Sequence, residues 1–284
     1  MKICGIIPVF FPENNFFEYL AENSGHLDHI FLINNGFNGD LQGSVKSKDN
    51  SKITVINMSS NLGVANAFNR GIIEAIKQKY DWFLLLDQDS KIKWPLSDIY
   101  KYLICSPQKK EIYFLNYHQK DNISKTDFKS VKPRSCISSG SFLNKNIISD
   151  IGFMDDLLHI DLVDTEYGLR ASQENYKLYM TNKQFLLHEI GKPIRKNFYF
   201  FTLGSSGHSE KRRFFKARNS IILFKKYFLK DPRTIIFLFD IFKLMALIIL
   251  VENNKLLKIF FILKGVYWGI KGSALPYKLT KQVL

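Results

Sequence analysis

Two carboxylates spaced one residue apart, Asp87 and Asp89, follow the apolar run WFLLL at residues 82–86. Carboxylates so placed can share a hard divalent cation, and Mg2+ characteristically takes one or two of them together with phosphate oxygens. Without a cation the pair would repel, and one member would take up a proton. A lone D-x-D also occurs in solvated turns; the buried run ahead of it argues for a site. A second acidic group lies in HIDLVDTEYGLRA, residues 159–171, with Asp161, Asp164 and Glu166. Arg170 stands one helical turn beyond Glu166, so those two can pair on one face. Asp164, near the start of the expected helix, is then a candidate general base. The plainer alternative is a surface helix start, which favours acidic residues anyway. His188 ends another apolar run, FLLHEIG; it is either a packed histidine or a nitrogen ligand for a metal already held by carboxylates.

Two further stretches carry groups suited to phosphate. In NLGVANAFNRGI, residues 61–72, Gly63 and the alanines allow close backbone approach, and the helix start offers free N–H groups. Asn61, Asn66 and Asn69 add adaptable donors and acceptors. In KRRFFKARN, residues 211–219, Arg212, Arg213 and Arg218 can fork onto phosphate oxygens, unless they form a solvated helix face.

The elements that must position these residues are legible as runs. KICGIIPVF, HIFLINNG, KITVINM and DWFLLLD are continuous apolar stretches, the signature of strands covered on both faces. Helices are expected at NNFFEYLAENSG and within NLGVANAFNRGIIEAIKQKY, which opens with turn residues and continues with Ala67, Phe68, Ile72, Ile73 and Ile76 at helical spacing. The order strand, helix, strand, strand, helix, strand predicts a doubly wound α/β sheet, which binds ligands at the carboxyl ends of its strands. EIYFLNY and CISSGSFLN extend the sheet, with a polar loop at residues 121–135 between them. DTEYGLRASQENY is expected to be helical.

The chain has 284 residues, 46% of them hydrophobic, and a net charge of +14. Residues 1–191 carry 21 Lys and Arg against 22 Asp and Glu, whereas residues 192–284 carry 19 against 4. The basicity therefore belongs to the last third and implies an anionic partner such as phosphate, nucleic acid or a membrane surface. Cys4, Cys105 and Cys136 form no close pair, which predicts reduced thiols in a cytosolic setting. The N-terminus reaches Pro8 and polar residues too soon for a signal peptide. In the tail, the longest uninterrupted apolar run, Leu244 to Val251, is far short of the ~20 residues of a membrane span. Charged residues recur there near a helical period, which predicts basic amphipathic helices lying on a membrane surface; helices packed on the domain are the alternative.

Taken in order, NLGVANAFNRGI, WFLLLDQDS, SSGSFLN, IGFMDDLLHIDLVDTEYGLRA, LLHEIG and RRFFKARN resemble the bacterial family 2 glycosyltransferases, most closely their rhamnosyltransferase-like group, over residues 3–227. The resemblance implies a GT-A fold: a doubly wound mixed sheet with helices on both faces, here followed by the basic helical region. It implies domains at 1–205, for nucleotide sugar and catalysis, and 206–284, for membrane association. It implies inverting sugar transfer, with Mg2+ or Mn2+ held by Asp87, Asp89 and His188 and with Asp164 as the base. Donor binding falls to Pro8, Val9, Phe10, Asn34, Asn35, Asn61, Gly63, Asn66, Asn69 and Gln88. The acceptor or its phosphates fall to Gly140, Asp161, Glu166, Arg170, Arg212, Arg213 and Arg218. The family often has Asp before Asn where this chain has Asn34-Asn35.

The implied partners are a dTDP- or UDP-sugar, a polyprenyl-diphosphate-linked glycan and an anionic membrane, with no nucleic acid. The implied location is the cytoplasmic face of the bacterial inner membrane. Two other readings compete. A metal-dependent nucleotidyltransferase would want a Gly/Lys-rich triphosphate loop after the first strand, and IIPVFFPENN has neither residue. A non-enzymatic membrane- or nucleic-acid-binding protein would leave the acidic groups without a role.

Overall fold

The computed structural model describes residues 1–46, 51–105, 110–117, 127–188, 194–197, 199 and 201–272. It divides into two compact units. The first comprises Met1–Asp156 and Val163–His188, the second Leu157–Leu162 and Glu189–Leu284.

The first unit is built on β1 (Ile3–Val9), α1 (Phe16–Ser24), β2 (His29–Asn34), α2 (Leu41–Lys46), β3 (Ile53–Asn57), α3 (Val64–Lys77) and β4 (Trp82–Leu85). It continues through β5 (Lys91–Ile92), α4 (Ser97–Cys105), β6 (Glu111–Asn116), β7 (Phe128–Ser130), β8 (Ser141–Asn144), α5 (Lys145–Ile151), α6 (Val163–Gln173), β9 (Lys177–Gln184) and β10 (Leu186–Leu187). Eight of these strands form one mixed sheet in the order β3-β2-β1-β4-β8-β6-β9-β7. Every residue of β1 and β4 is buried, as continuous apolar strands between two layers must be. β1 pairs in parallel with β2 on one side and with β4 on the other. The chain thus winds away from β1 in both directions, and the crevice past the ends of β1 and β4 is a topological switch point. The expected α/β class and strand order hold through β4, and the sheet continues antiparallel into β8. The expected polar loop lies partly outside the described residues; within the rest of it, Phe128–Ser130 pairs with β9 as an edge strand.

The second unit holds the hairpin β11 (Ile194–Asn197) and β12 (Thr202–Ser205), followed by α7 (Glu210–Tyr227), α8 (Ile236–Val251) and α9 (Lys255–Lys271). Ala217, Ile221, Ile241, Ile248 and Ile262 form its apolar centre. Gly265 and Gly269 seat α9 against α7, where an added Cβ would meet the backbone oxygens of Phe214 and Arg218 at 2.4 and 2.7 Å. Glu252, just past α8, is fully buried with Arg213, Lys258 and Ser205 as partners, Lys258 at 2.7 Å. The helices are less evenly amphipathic than their charge spacing suggests. Pro232–Val251 is 20 residues long; an 18-residue stretch of it has a mean hydropathy of 2.5, and 28% of that stretch is buried. By length and composition alone that helix could cross a membrane, even though Asp240 and Lys243 interrupt its apolar run. Phe239, Phe242, Leu256, Phe260 and Ile270 are exposed.

Candidate active site

Asp87 and Asp89 lie just beyond β4, on the switch-point side of the sheet. Local pairing brings His188 to them. β5 begins one residue after Ser90, β10 ends at Leu187, and the two pair antiparallel with Leu187 opposite Lys91. His188 therefore emerges beside the acidic loop, although it is far away in sequence. Its Nδ1 is 3.1 Å from Oδ1 of Asp89, and its Nε2 is 3.8 Å from Oδ2 of Asp87. One potential ligand atom from each of the three lies within 4.8 Å of the others.

Whether these residues suit a cation can be judged from the side chains. Oδ1 of Asp89 is buried and has no hydrogen-bond partner; its contact with His188 is close enough for an ion pair but is not a hydrogen bond. A buried carboxylate oxygen left in that state is costly unless something positive faces it. Two carboxylate oxygens and an imidazole nitrogen form a donor set suited to Mn2+ or Mg2+. The residues present fit a divalent metal.

Three residues that motif reading passed over hold this cluster. Ser90 Oγ bonds His188 Nδ1 at 2.9 Å and Ser139 Oγ at 2.7 Å, and Ser139 Oγ accepts from the backbone N–H of Asp87 at 3.1 Å. The Tyr117 ring stands edge-on to His188, centroids 6.1 Å apart. Burial and, next, the nearby charge of Asp164 push the Tyr117 phenol above its ordinary pKa. Burial and Asp164 do the same to the Cys136 thiol. Asp164 is thus electrostatically coupled to a ring that packs on His188. It sits in the first turn of α6, accepts from the Thr165 N–H at 2.7 Å, and borders a small, mostly apolar cleft with Phe114, Ser141, Leu143 and Tyr167.

The expected donor residues distribute as follows. Pro8 and Val9 are buried in β1. Gln88 ties the two switch-point loops together: its carbonyl accepts from the Phe10 N–H at 3.0 Å, and its amide donates to the Phe11 carbonyl at 2.7 Å. Asn34 donates to Asn57 and to the Phe37 carbonyl; Asn35 donates to Asn61, whose carbonyl accepts from the Gly63 N–H. Gly63 takes φ 94° ahead of α3, and Asn66 is half-buried on the first turn. Asn69 is buried; it donates to the Met154 carbonyl and to Asp156, and accepts from the Met154 N–H. Its amide serves the chain's own backbone.

On the acceptor side, Gly140 takes φ 89°, and an added Cβ would lie 2.6 Å from Leu186. Glu166 is fully buried and bonded to Arg170 at 2.9 Å, as the i, i+4 spacing predicts. Arg170 also donates to the carbonyls of Ile151 and Phe153. That pair braces α6, and its charges face the protein interior. In the second unit, Arg212 meets the Asp161 carboxylate at 3.2 Å. Arg213 and Arg218 are 3% and 1% exposed. The first pairs with Glu252 and the second donates to the Leu157 carbonyl at 2.7 Å. Two of the three arginines expected to hold phosphate are therefore engaged inside the protein. Desolvation is offset for them by internal partners that lie too far along the chain for motif reading to find.

No protein-family model matches the chain. It is 25% identical over 246 residues to the dTDP-rhamnosyl transferase RfbF of Shigella flexneri, covering 79% of this chain and 80% of that protein. Among solved structures, it resembles the mannosyltransferase PcManGT of Pyrobaculum calidifontis, seen with GDP-Man and Mn2+, at a TM-score of 0.56 and 10% identity, over 99% of this chain and 78% of that one. S. aureus TarS matches at a TM-score of 0.51 and 12% identity. That match covers 99% of this chain, which spans 47% of the TarS chain, about half its length. The solved structures show a GT-A fold, and the likeness to RfbF supports a family 2 rhamnosyltransferase-like protein. Its GT-A sheet is the mixed eight-stranded one described above, and a glycosyltransferase is the enzyme class that these likenesses support.

Proposed function

We propose that the protein is a metal-dependent, inverting glycosyltransferase that moves rhamnose from a dTDP-linked donor, or a related sugar from UDP, to a polyprenyl-diphosphate-linked glycan in surface polysaccharide synthesis. The observation that carries this reading is the Asp87, Asp89 and His188 cluster at the switch point, with a buried carboxylate oxygen that lacks a hydrogen bond. The likeness to a dTDP-rhamnosyl transferase favours the donor.

Displacement at the anomeric carbon builds negative charge on the departing diphosphate. A bound Mg2+ or Mn2+ supplies the countercharge there. Asp87, Asp89 and His188 hold it, with Ser90 and Ser139 keeping their orientation. Gln88 closes the loop after β1 against the acidic loop, where a nucleoside would rest. Asp164 takes the proton of the attacking hydroxyl, a contribution of typically ~10²–10⁴-fold. One base suffices for inversion, since no covalent sugar intermediate needs a second carboxylate.

The acceptor's lipid implies work at the cytoplasmic face of the bacterial inner membrane. The exposed apolar residues of α8 and α9, in a basic segment, support attachment to an anionic surface. A donor screen tests the core of the reading. Thermal shifts are measured with dTDP-rhamnose, UDP-galactofuranose, UDP-glucose and UDP-N-acetylglucosamine, each with and without Mn2+. A shift with dTDP-rhamnose that requires Mn2+ supports the assignment, and indifference to all four donors overturns it.

A further inference from the structure

β1 and β4 run side by side, their pairing reaching Ile6 opposite Leu85, with one more bond from the Leu86 N–H to the Ile6 carbonyl at 3.0 Å. Past that point the backbones bend away from a regular ladder, and Pro8 has no N–H to offer. The Gln88 side chain continues the connection. Its carbonyl accepts from the Phe10 N–H at 3.0 Å, and its amide donates to the Phe11 carbonyl at 2.7 Å, as the backbone of a neighbouring strand would. The two partners differ in kind, one a donor and one an acceptor, so chemistry fixes which end of the carboxamide meets which. Gln88 is also the residue between Asp87 and Asp89, so its backbone cannot move without theirs.

The connection extends beyond β1. The Val9 carbonyl accepts from the Asn35 N–H at 2.8 Å. The Asn35 side chain accepts from the Leu62 N–H at 3.0 Å and donates to Asn61 at 3.2 Å. One line of hydrogen bonds thus joins the ends of β4, β1 and β2 to the loop ahead of α3. At its acidic end that line passes through the Gln88 side chain.

Without a cation, Asp87 and Asp89 repel one another; a bound cation removes that repulsion and ties both to one point. A loop so fixed presents the Gln88 carboxamide in one place and orders the backbone at Phe10 and Phe11 with it. A ligand resting on that backbone then need not supply the ordering itself. We infer that Gln88 couples the two halves of the site: a cation at the acidic loop raises affinity for a nucleoside at the loop after β1. By linkage the nucleoside raises affinity for the cation by the same factor. The inference rests on the proposed metal site and on a nucleoside lying against the β1 loop.

The test uses the full-length protein, Mn2+ alone, and thymidine, which has no phosphate through which to touch the cation. Hydrogen exchange read by mass spectrometry follows the amides of Phe10 and Phe11, and calorimetry gives the Mn2+ and thymidine affinities. In the wild type, saturating Mn2+ should slow exchange at residues 10–11. It should also tighten thymidine binding about fivefold or more, the low end of typical coupling between sites. In Gln88→Ala, Mn2+ should still bind, because Asp87, Asp89 and His188 remain. Exchange at 10–11 should no longer respond to it, and thymidine affinity should be the same with and without it. Wild-type protein that binds both ligands and shows neither response overturns the inference alone, as does a response that persists in Gln88→Ala. Loss of Mn2+ binding in that variant also overturns it, since Gln88 would then support the metal ligands and not link two sites. Wild-type protein that binds no Mn2+, or no thymidine, removes the metal site or the nucleoside placement, and the inference falls with it.

Discussion

His188 and Asp89 approach to 3.1 Å although 99 positions separate them in sequence, and the contact exists because β10 pairs antiparallel with β5. The pairing delivers an imidazole to the acidic loop and leaves a carboxylate oxygen buried without a hydrogen bond. Asp89→Asn should therefore fold normally, since the oxygen it replaces or keeps there, Oδ1, has no hydrogen-bond partner among the described residues. Mn2+ affinity should fall by at least about tenfold in that variant, given the few ligands that such sites use. Calorimetric titration with Mn2+ reads both affinity and stoichiometry, and unchanged affinity would remove Asp89 from the site.

Tyr117 acts on the same cluster through its ring. Substituting residues that orient metal ligands typically costs ~10–100-fold in metal affinity or activity. Tyr117→Ala is expected in that range for Mn2+. Tyr117→Phe, which keeps the edge-on ring, should stay close to wild type. Equal affinities for the two variants would show that the ring does not support His188.

In the second unit, acid stability should trace to Glu252 and His208. Burial opposes ionisation of Glu252, but hydrogen bonds from Lys258 and Ser205 and the charge of Arg213 hold its pKa below the ordinary 4.5. The unfolded chain then binds the proton more readily, so the stabilisation is present above pH 4.5 and is lost as pH falls through the lower folded value. His208 is held down to about 4, by burial first and then by Arg212, against an ordinary 6.5. The same sign applies: stability declines as pH falls from 6.5 toward 4. Melting curves across pH 7 to 3 should show both arms. His208→Gln should flatten the upper one, and an unchanged slope would exclude His208 as its source.

The exposed apolar faces of α8 and α9 predict binding to anionic vesicles. Co-sedimentation with phosphatidylglycerol vesicles should be strong at low salt and weaker with neutral lipid. Phe242→Glu together with Phe260→Glu should abolish it. Protein that stays in the supernatant with anionic vesicles would contradict the membrane reading.

The sheet through β4 was legible because strands buried on both faces read as unbroken apolar runs, as in residues 82–86. β9 was not, because KLYMTNKQ mixes polar and apolar residues. Tyr117 carried a signal that went unused: it ends the run EIYFLNY much as Asp87 ends its own. The roles of Ser90 and Ser139 could not be read, since a serine's partner is set by folding and not by spacing. The arginines of KRRFFKARN showed their chemistry but not their partners. Glu252 lies 39 positions beyond Arg213, and Leu157 lies 61 before Arg218.

The proposed function divides labour between a cluster that binds and a carboxylate that reacts. The measurement that bears on it most directly is transfer by Asp164→Asn, with dTDP-rhamnose, Mn2+ and a polyprenyl-diphosphate glycan, alongside donor affinity. Transfer lowered by ~10²-fold or more at unchanged, Mn2+-dependent donor affinity is the predicted result. Wild-type transfer by that variant would contradict the account.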